Sequence, residues 1–244
     1  MEDQRFARTE MLLGDAGLAR LAASSVAVFG VGGVGSFTAE ALARAGVGSL
    51  TLIDHDTIDV TNINRQIHAL TETVGKAKTT VMAERIRAIN PHCQVREIRA
   101  FYLPEEADSF FETHYDYAVD AVDTVTAKVD LAVQCQARNI PLIASMGAAN
   151  KLDPTLFEVI DIYRTKGDPL ARILRKKLKE HGVRRLTVVC SRERPKRPAA
   201  GICAPAPGRH LAPGSVSFVP PVAGMIMAGV VVRALTGAAV EVSS

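Results

Sequence analysis

Residues 26–66 read VAVFGVGGVGSFTAEALARAGVGSLTLIDHDTIDVTNINRQ, and this stretch governs how the rest of the chain is read. Val26 to Phe29 are four consecutive apolar residues, as in a buried strand. They run into Gly30-Val31-Gly32-Gly33-Val34-Gly35. Gly30, Gly32 and Gly35 have the spacing of a phosphate-binding turn: one glycine for the tight turn, one for close approach to phosphate, one for packing helix on strand. Ser36 to Ala45, rich in Ala, Leu and Glu, predicts a helix whose free N–H groups face an anion, and Gly46 and Gly48 end it. A second strand, Ser49 to Ile53, delivers Asp54 nineteen residues after Gly35, where a carboxylate can accept from ribose hydroxyls. A nucleotide is implied, but not which one.

The residues that follow narrow the choice. A hydride-transfer enzyme needs its cofactor held and little more, whereas Asp56, Asn62, Arg65, Gln66 and Lys78 gather polar and cationic groups beside the phosphates. Cations there suit chemistry at phosphorus. Lys78 falls in the first turn of a helix predicted over Lys76–Ile89, where a cation opposes the helix dipole and a phosphate ligand would resolve the conflict. Further strands are predicted over Cys93–Ile98, Tyr115–Asp120, Pro141–Ser145 and Leu156–Tyr163, with helices over Pro104–Phe111 and Val125–Arg138. Asp123 lies just beyond a strand's carboxyl end, where open α/β sheets bind ligands; Asp120 beside it reads as a strand end. The alternation predicts an α/β, Rossmann-like, doubly wound and mostly parallel sheet, extended by C-terminal strands and helices.

At 244 residues and 48% hydrophobic content the chain can build one large α/β domain. Residues 1–150 read as its nucleotide-binding half, and 151–244 as a basic helix, a crossing loop and a strand–helix completing the same domain. The N-terminus carries several charges and no continuous apolar core, so it is not a secretory signal, and a cytoplasmic protein is expected. Cys93, Cys135, Cys190 and Cys203 form no CxxC pair, so neither zinc nor a disulfide framework is expected. A final strand is predicted over Ser215–Val219, then an apolar helix to Leu235. Its run 222–232 is well short of the roughly 20 residues that span a bilayer, so no transmembrane segment is expected. Gly224 and Gly229 would let it pack closely in a core or subunit contact.

Charge is concentrated in one place. Residues 164–197 hold thirteen Lys or Arg against Asp168, Glu180 and Glu193, a net +10, while the whole chain is only +3. Asp168 and Pro169 open a helix with Leu170, Ile173, Leu174 and Leu178 in one stripe and Arg172, Arg175, Lys176 and Lys179 elsewhere. The excess continues past that helix, which fits a polyanion such as RNA better than a solvated face. With aromatic residues at 5%, contact would be mainly to phosphate. Residues 191–214, rich in proline and glycine, read as a mobile crossing loop. Cys190 and Cys203 border or lie in it, as packing residues or as a nucleophile.

Five motifs, GVGGVGS (30–36), LIDHDTIDVTNINRQ (52–66), VGKAK (74–78), INPH (89–92) and VDAVDT (119–124), together resemble the ubiquitin-activating-enzyme-like adenylating superfamily. The resemblance implies ATP and Mg²⁺. Asp54 would hold the ribose, Asn62, Arg65 and Lys78 the triphosphate, and Asp123 the magnesium, with Gly30, Gly32, Gly33, Gly35, Asp56 and Gln66 completing the site. Arg8 matches an N-terminal arginine that reaches the neighbouring subunit's nucleotide, which implies a homodimer; a surface arginine is the alternative. The implied catalytic set is Arg8, Arg65, Lys78 and Asp123.

Many sulfur-carrier activators in the superfamily carry two zinc-binding CxxC pairs, and this chain departs from them. Residues 61–70, 76–91, 153–179 and 214–229 are instead similar to the branch that dehydrates threonylcarbamoyladenosine in tRNA. That implies tRNA bound by region 164–197 and an adenylated carboxylate intermediate. An adenylyltransferase acting on a ubiquitin-like sulfur carrier is the alternative, and a sulfur-transfer partner protein stays open. A dehydrogenase and a non-catalytic nucleotide-sensing RNA-binding module rank below.

Overall fold

The computed structural model describes residues 4–196 and 213–240. Strands β1 (Ser25–Phe29), β2 (Ser49–Ile53), β3 (Gln94–Ile98), β4 (Tyr117–Asp120), β5 (Leu142–Ser145), β6 (Phe157–Asp161) and β7 (Thr187–Ser191) form one sheet in the order β3-β2-β1-β4-β5-β7-β6. All neighbours are parallel except β6, which runs antiparallel to β7. Helices α1 (Ala7–Ala23), α2 (Gly35–Ala45), α3 (Lys78–Ile89), the short α4 (Ala107–Phe110), α5 (Val125–Ala137), α6 (Pro169–Glu180) and α7 (Val219–Thr236) accompany it. The doubly wound α/β expectation is met. Chain order reverses direction between β1 and β4, so a crevice opens at their carboxyl ends.

Burial explains the strand composition. Val26, Ala27, Val28 and Phe29 are fully buried, as are Leu50 and Leu52 of β2 and Ala118 and Val119 of β4. Edge strand β3 is only partly covered and carries Arg96 and Glu97. At ~1.5–3 kcal/mol for each large apolar side chain, the central strands anchor the sheet and set the height of the crevice.

One C-terminal expectation fails, and one strand is unexpected. No strand forms over Ser215–Val219: Val219 already opens α7, with Pro220 and Pro221 in its first turn. Proline has no N–H to give a ladder but tolerates a helix's first turn, where N–H groups lack partners anyway. The strand completing the sheet is β7, hidden inside the basic stretch. Its Val188, Val189, Cys190 and Ser191 are buried although arginines flank it on both sides.

Helix α7 has the length and apolarity of a bilayer-crossing segment, yet half of it is buried here. Val219, Ala223, Met227 and Val231 are buried, and the last three belong to the same core as Leu42 of α2 and Val28 of β1. Gly224 permits this: a Cβ there would stand 2.3 Å from the Val34 carbonyl oxygen. Gly229 has no such role, since its Cβ would meet only the end of the Arg233 side chain, at 3.2 Å. In α1, which kinks at Gly14 (φ 66°), Leu21 is buried, whereas Met11 and Leu12 before the kink are 83% and 87% exposed.

Candidate active site

A cleft of about 560 Å³ lies at the carboxyl ends of β1, β2 and β4. Its floor is the glycine turn, whose members divide the work by sterics. Gly30 has φ 85°, and a Cβ on it would meet the Ala121 carbonyl oxygen at 2.7 Å; one on Gly35 would lie 1.8 Å from the Gly30 oxygen. Those two fix the turn and seat α2. A Cβ on Gly32 would touch nothing nearer than Gln66 Nε2 at 4.0 Å, so its backbone stays open to the cleft. A Cβ on Gly33 would press on Pro220 and Arg65, at 3.1 and 3.3 Å.

Asp54 follows β2 and does two things. Its Oδ2 accepts from the Val31 N–H at 2.7 Å and its Oδ1 from the Asp56 N–H at 2.9 Å, so it locks the glycine turn while lining the cleft. Lys78 is the first residue of α3 and is buried; its Nζ sits 2.6 Å from Asp56 Oδ2. The clash with the helix dipole is therefore already met by a carboxylate of the protein, not by phosphate alone as the sequence suggested. Asn62 is half committed: its Oδ1 accepts from the Asp59 N–H at 3.1 Å, while its carbonyl holds the Arg65 and Gln66 N–H groups at 3.0 Å each. Arg65 donates through NH1 to the Thr61 carbonyl and Asn64 Oδ1, both at 2.9 Å. Gln66 is buried with its Oε1 unpartnered among the described residues.

Asp123 is exposed on the cleft wall and makes no protein hydrogen bond or ion pair among the described residues. An unpaired carboxylate of this kind could hold a magnesium ion, which keeps waters and binds through one or two carboxylates. Asp54, His55 and Asp56 also place ligand atoms within 4.8 Å of one another. There, Asp54 is held by two N–H groups and Asp56 by Lys78, so the charge is already compensated.

Asp120 does more than end a strand. It is fully buried, its Oδ1 lies 3.0 Å from Lys128 Nζ and accepts from the Val122 N–H, and Lys128 also donates to the Ser145 carbonyl at 2.7 Å. Burial pushes the Asp120 carboxyl up and Lys128 opposes it. This pair ties β4, β5 and α5 beneath Asp123. Residue-by-residue reading missed it, since only folding brings the eight-residue spacing of Asp120 and Lys128 together.

Other groups keep apart from the cleft. Arg8 lies on α1 and does not line the cleft of its own chain. Cys190 is buried in the core of α5, α6 and β7, and burial pushes its thiol up to about 11. Cys93 and Cys135 are buried likewise, and Cys203 lies outside the described residues. The sequence reading also passed over His55, Phe101 and Tyr102, which line the cleft. His55 and Phe101 meet edge to face at 4.8 Å, a local contact no periodicity announces.

On Ile173 the helical reading fails: it is 45% exposed, and the buried residues of α6 are Ala171, Leu174 and Leu178. Asp168 caps the helix, accepting from the Ala171 N–H at 2.9 Å, and pairs with buried Lys151 at 3.4 Å. Arg172, Lys176, Lys177 and Lys179 are exposed, whereas Arg175 turns back to donate to the Thr165 carbonyl at 3.0 Å. Arg197 lies outside the described residues.

A glycine turn at a switch point, an acid after β2 and cations beside the phosphate position define a nucleotide-binding α/β enzyme of the adenylating class. The chain belongs to the ThiF family, whose model matches residues 6–244. It is 46% identical over 239 residues to the tRNA threonylcarbamoyladenosine dehydratase of Bacillus subtilis, covering 95% of this chain and 94% of that one. The crystal structure of the Escherichia coli tRNA N6-threonylcarbamoyladenosine dehydratase with ATP is similar, with TM-score 0.87, 38% identity and coverage of 96% and 94%. The same enzyme with AMP matches with TM-score 0.86 at 37% identity, over 96% of this chain and 94% of that one.

Proposed function

We propose that this enzyme uses ATP to dehydrate threonylcarbamoyladenosine in tRNA. The cleft carries the reading: an open glycine turn faces Arg65, Lys78 and Asp123, in a chain that resembles such dehydratases along almost its whole length. Residues 1–150 would act as the ATP-binding half, and the later segment would present tRNA to the same cleft.

In this reading Asp54 holds the ribose, Gly32 lets the backbone approach phosphate, and Asn62 and Gln66 add polar contacts. The substrate carboxylate attacks the α-phosphorus and pyrophosphate leaves, giving an acyl adenylate. Arg65, Lys78 and Arg8 of the partner subunit stabilise the negative charge that builds up. The neighbouring carbamoyl group then closes on the activated carbonyl, loses its proton and expels AMP, so the nucleoside is one water lighter. Magnesium fits Asp123 and would supply charge neutralisation between the phosphates. The nucleophile belongs to the substrate, which agrees with a buried Cys190.

A homodimer would bring Arg8 to the neighbouring cleft, and exposed Met11 and Leu12 near it suit a subunit contact. The exposed cations of α6 with Arg184, Arg185, Arg194 and Lys196 suit tRNA phosphates, and a tRNA substrate would place the enzyme in the cytoplasm. The test is pyrophosphate release from ATP and Mg²⁺ with tRNA carrying threonylcarbamoyladenosine, compared with the same tRNA lacking it. Release only with modified tRNA, with loss of one water from the nucleoside, is expected. Release with a sulfur-carrier protein instead would transfer the function to that alternative.

A further inference from the structure

We propose that Ser215 binds the threonylcarbamoyl side chain, its hydroxyl donating a hydrogen bond to an oxygen of that group; this rests on the substrate proposed above. Ser215 lines the cleft, and its Oγ is shut off from solvent with no hydrogen-bond partner among the described residues. A buried hydroxyl without a partner works against folding, so one kept at a cleft wall points to a ligand. Gln66, a buried side chain whose Oε1 is likewise without a partner among the described residues, lines the same cleft.

The backbone around Ser215 is fastened from both sides. Asn64 Nδ2 donates to its carbonyl at 3.0 Å, and Asn64 also accepts from Arg65, so the serine is tied to a phosphate-facing cation. The preceding Gly214 donates to Asn150 Oδ1 at 2.7 Å and accepts from the Asn150 N–H at 2.8 Å. Asn150 adopts φ 58°, in the left-handed region that non-glycine residues seldom occupy, to make both bonds. The backbone that carries the hydroxyl is thereby held in place.

Position supports the assignment. Asp54 follows β2, on one flank of the β1–β4 switch point, while Asn150 follows β5 on the other. Basic helix α6 packs on α5, on that second flank. Ser215, tied to Asn64 after β2 and through Gly214 to Asn150 after β5, stands between the two flanks, and a tRNA docked on α6 would bring its modified nucleoside to it from the second.

The experiment is steady-state pyrophosphate release by Ser215→Ala with modified tRNA and ATP, together with thermal melting. The variant is expected to lose about tenfold or more in kcat/KM for modified tRNA, the effect of one hydrogen bond to a charged or strongly polar acceptor. Its KM for ATP stays at the wild-type value and its Tm does not fall, since no partner among the described residues is removed. Asn64→Ala, which frees the serine's carbonyl, is expected to lower the same parameter. Unchanged kcat/KM for modified tRNA in Ser215→Ala overturns the proposal, as does a raised KM for ATP, which would assign the hydroxyl to the triphosphate. If the wild-type protein itself releases no pyrophosphate with modified tRNA, the substrate reading falls as well.

Discussion

Lys78 opens α3, where its positive charge opposes the helix dipole. Its place at the head of a helix suggested an anion, and the anion in the structure is Asp56 at 2.6 Å. ATP phosphates would have to share or displace that partner. Asp123 contrasts with it, being exposed and without a protein partner among the described residues. Asp123→Ala is expected to abolish pyrophosphate release while shifting stability by no more than about 0.5 kcal/mol, as at an exposed surface position. Normal release by the folded variant would remove the metal role.

His68 makes a different prediction. It is buried with both ring nitrogens unpartnered among the described residues, and burial, helped by Lys78 and Arg85, pushes its pKa down from 6.5 to about 4. Between those values the unfolded chain binds a proton that the folded chain does not. Stability from this group is therefore complete above pH 6.5 and is lost as pH falls toward 4, by about 2–3 kcal/mol at pH 4.5. Melting curves from pH 7 to 4.5 are expected to fall more steeply for wild type than for His68→Leu. Parallel curves would show that His68 does not titrate this way.

At the scale of elements, α6 carries a buried apolar face and an exposed cationic one on a single cylinder. Ala171, Leu174 and Leu178 bury against α5 and β7, and Asp168 caps the first turn while pairing with Lys151. The cations opposite are left in solvent, where exposed ion pairs would add little stability and a polyanion can add affinity. Replacing Lys176 and Lys179 by Glu is expected to weaken tRNA binding. The log–log salt slope is expected to flatten by roughly 0.7–0.9 for each RNA phosphate that the variant no longer neutralises. An unchanged Kd across a salt series would remove α6 from the RNA face.

Taken whole, the molecule opens its cleft on the β2–β1–β4 side of the sheet and carries its basic surface on the β5–β7–β6 side. Arg8 stands outside this plan in a single chain. If it serves a neighbour's cleft, mixing Arg8→Ala and Asp123→Ala chains restores one complete site per mixed dimer. Random exchange would then give up to about a quarter of wild-type activity, by the symmetry of a two-site dimer. No recovery in confirmed mixed dimers would refute the arrangement.

The sequence by itself determined the glycine turn, the acid after β2, the parallel strands and the basic helix. Each is written in local spacing and periodicity, which neighbouring residues enforce without distant help. Only the tertiary structure decided that β7 enters the sheet between β5 and β6, because its arginine-flanked apolar run is too short to announce itself. It alone replaced the strand expected at 215–219 with an approach to α7, and set Pro220 against Gly33. It alone joined Asp56 to Lys78, Asp120 to Lys128 and Asn64 to Ser215. Hydrogen bonds and ion pairs between residues far apart in the chain depend on how the layers pack, and no local pattern encodes them.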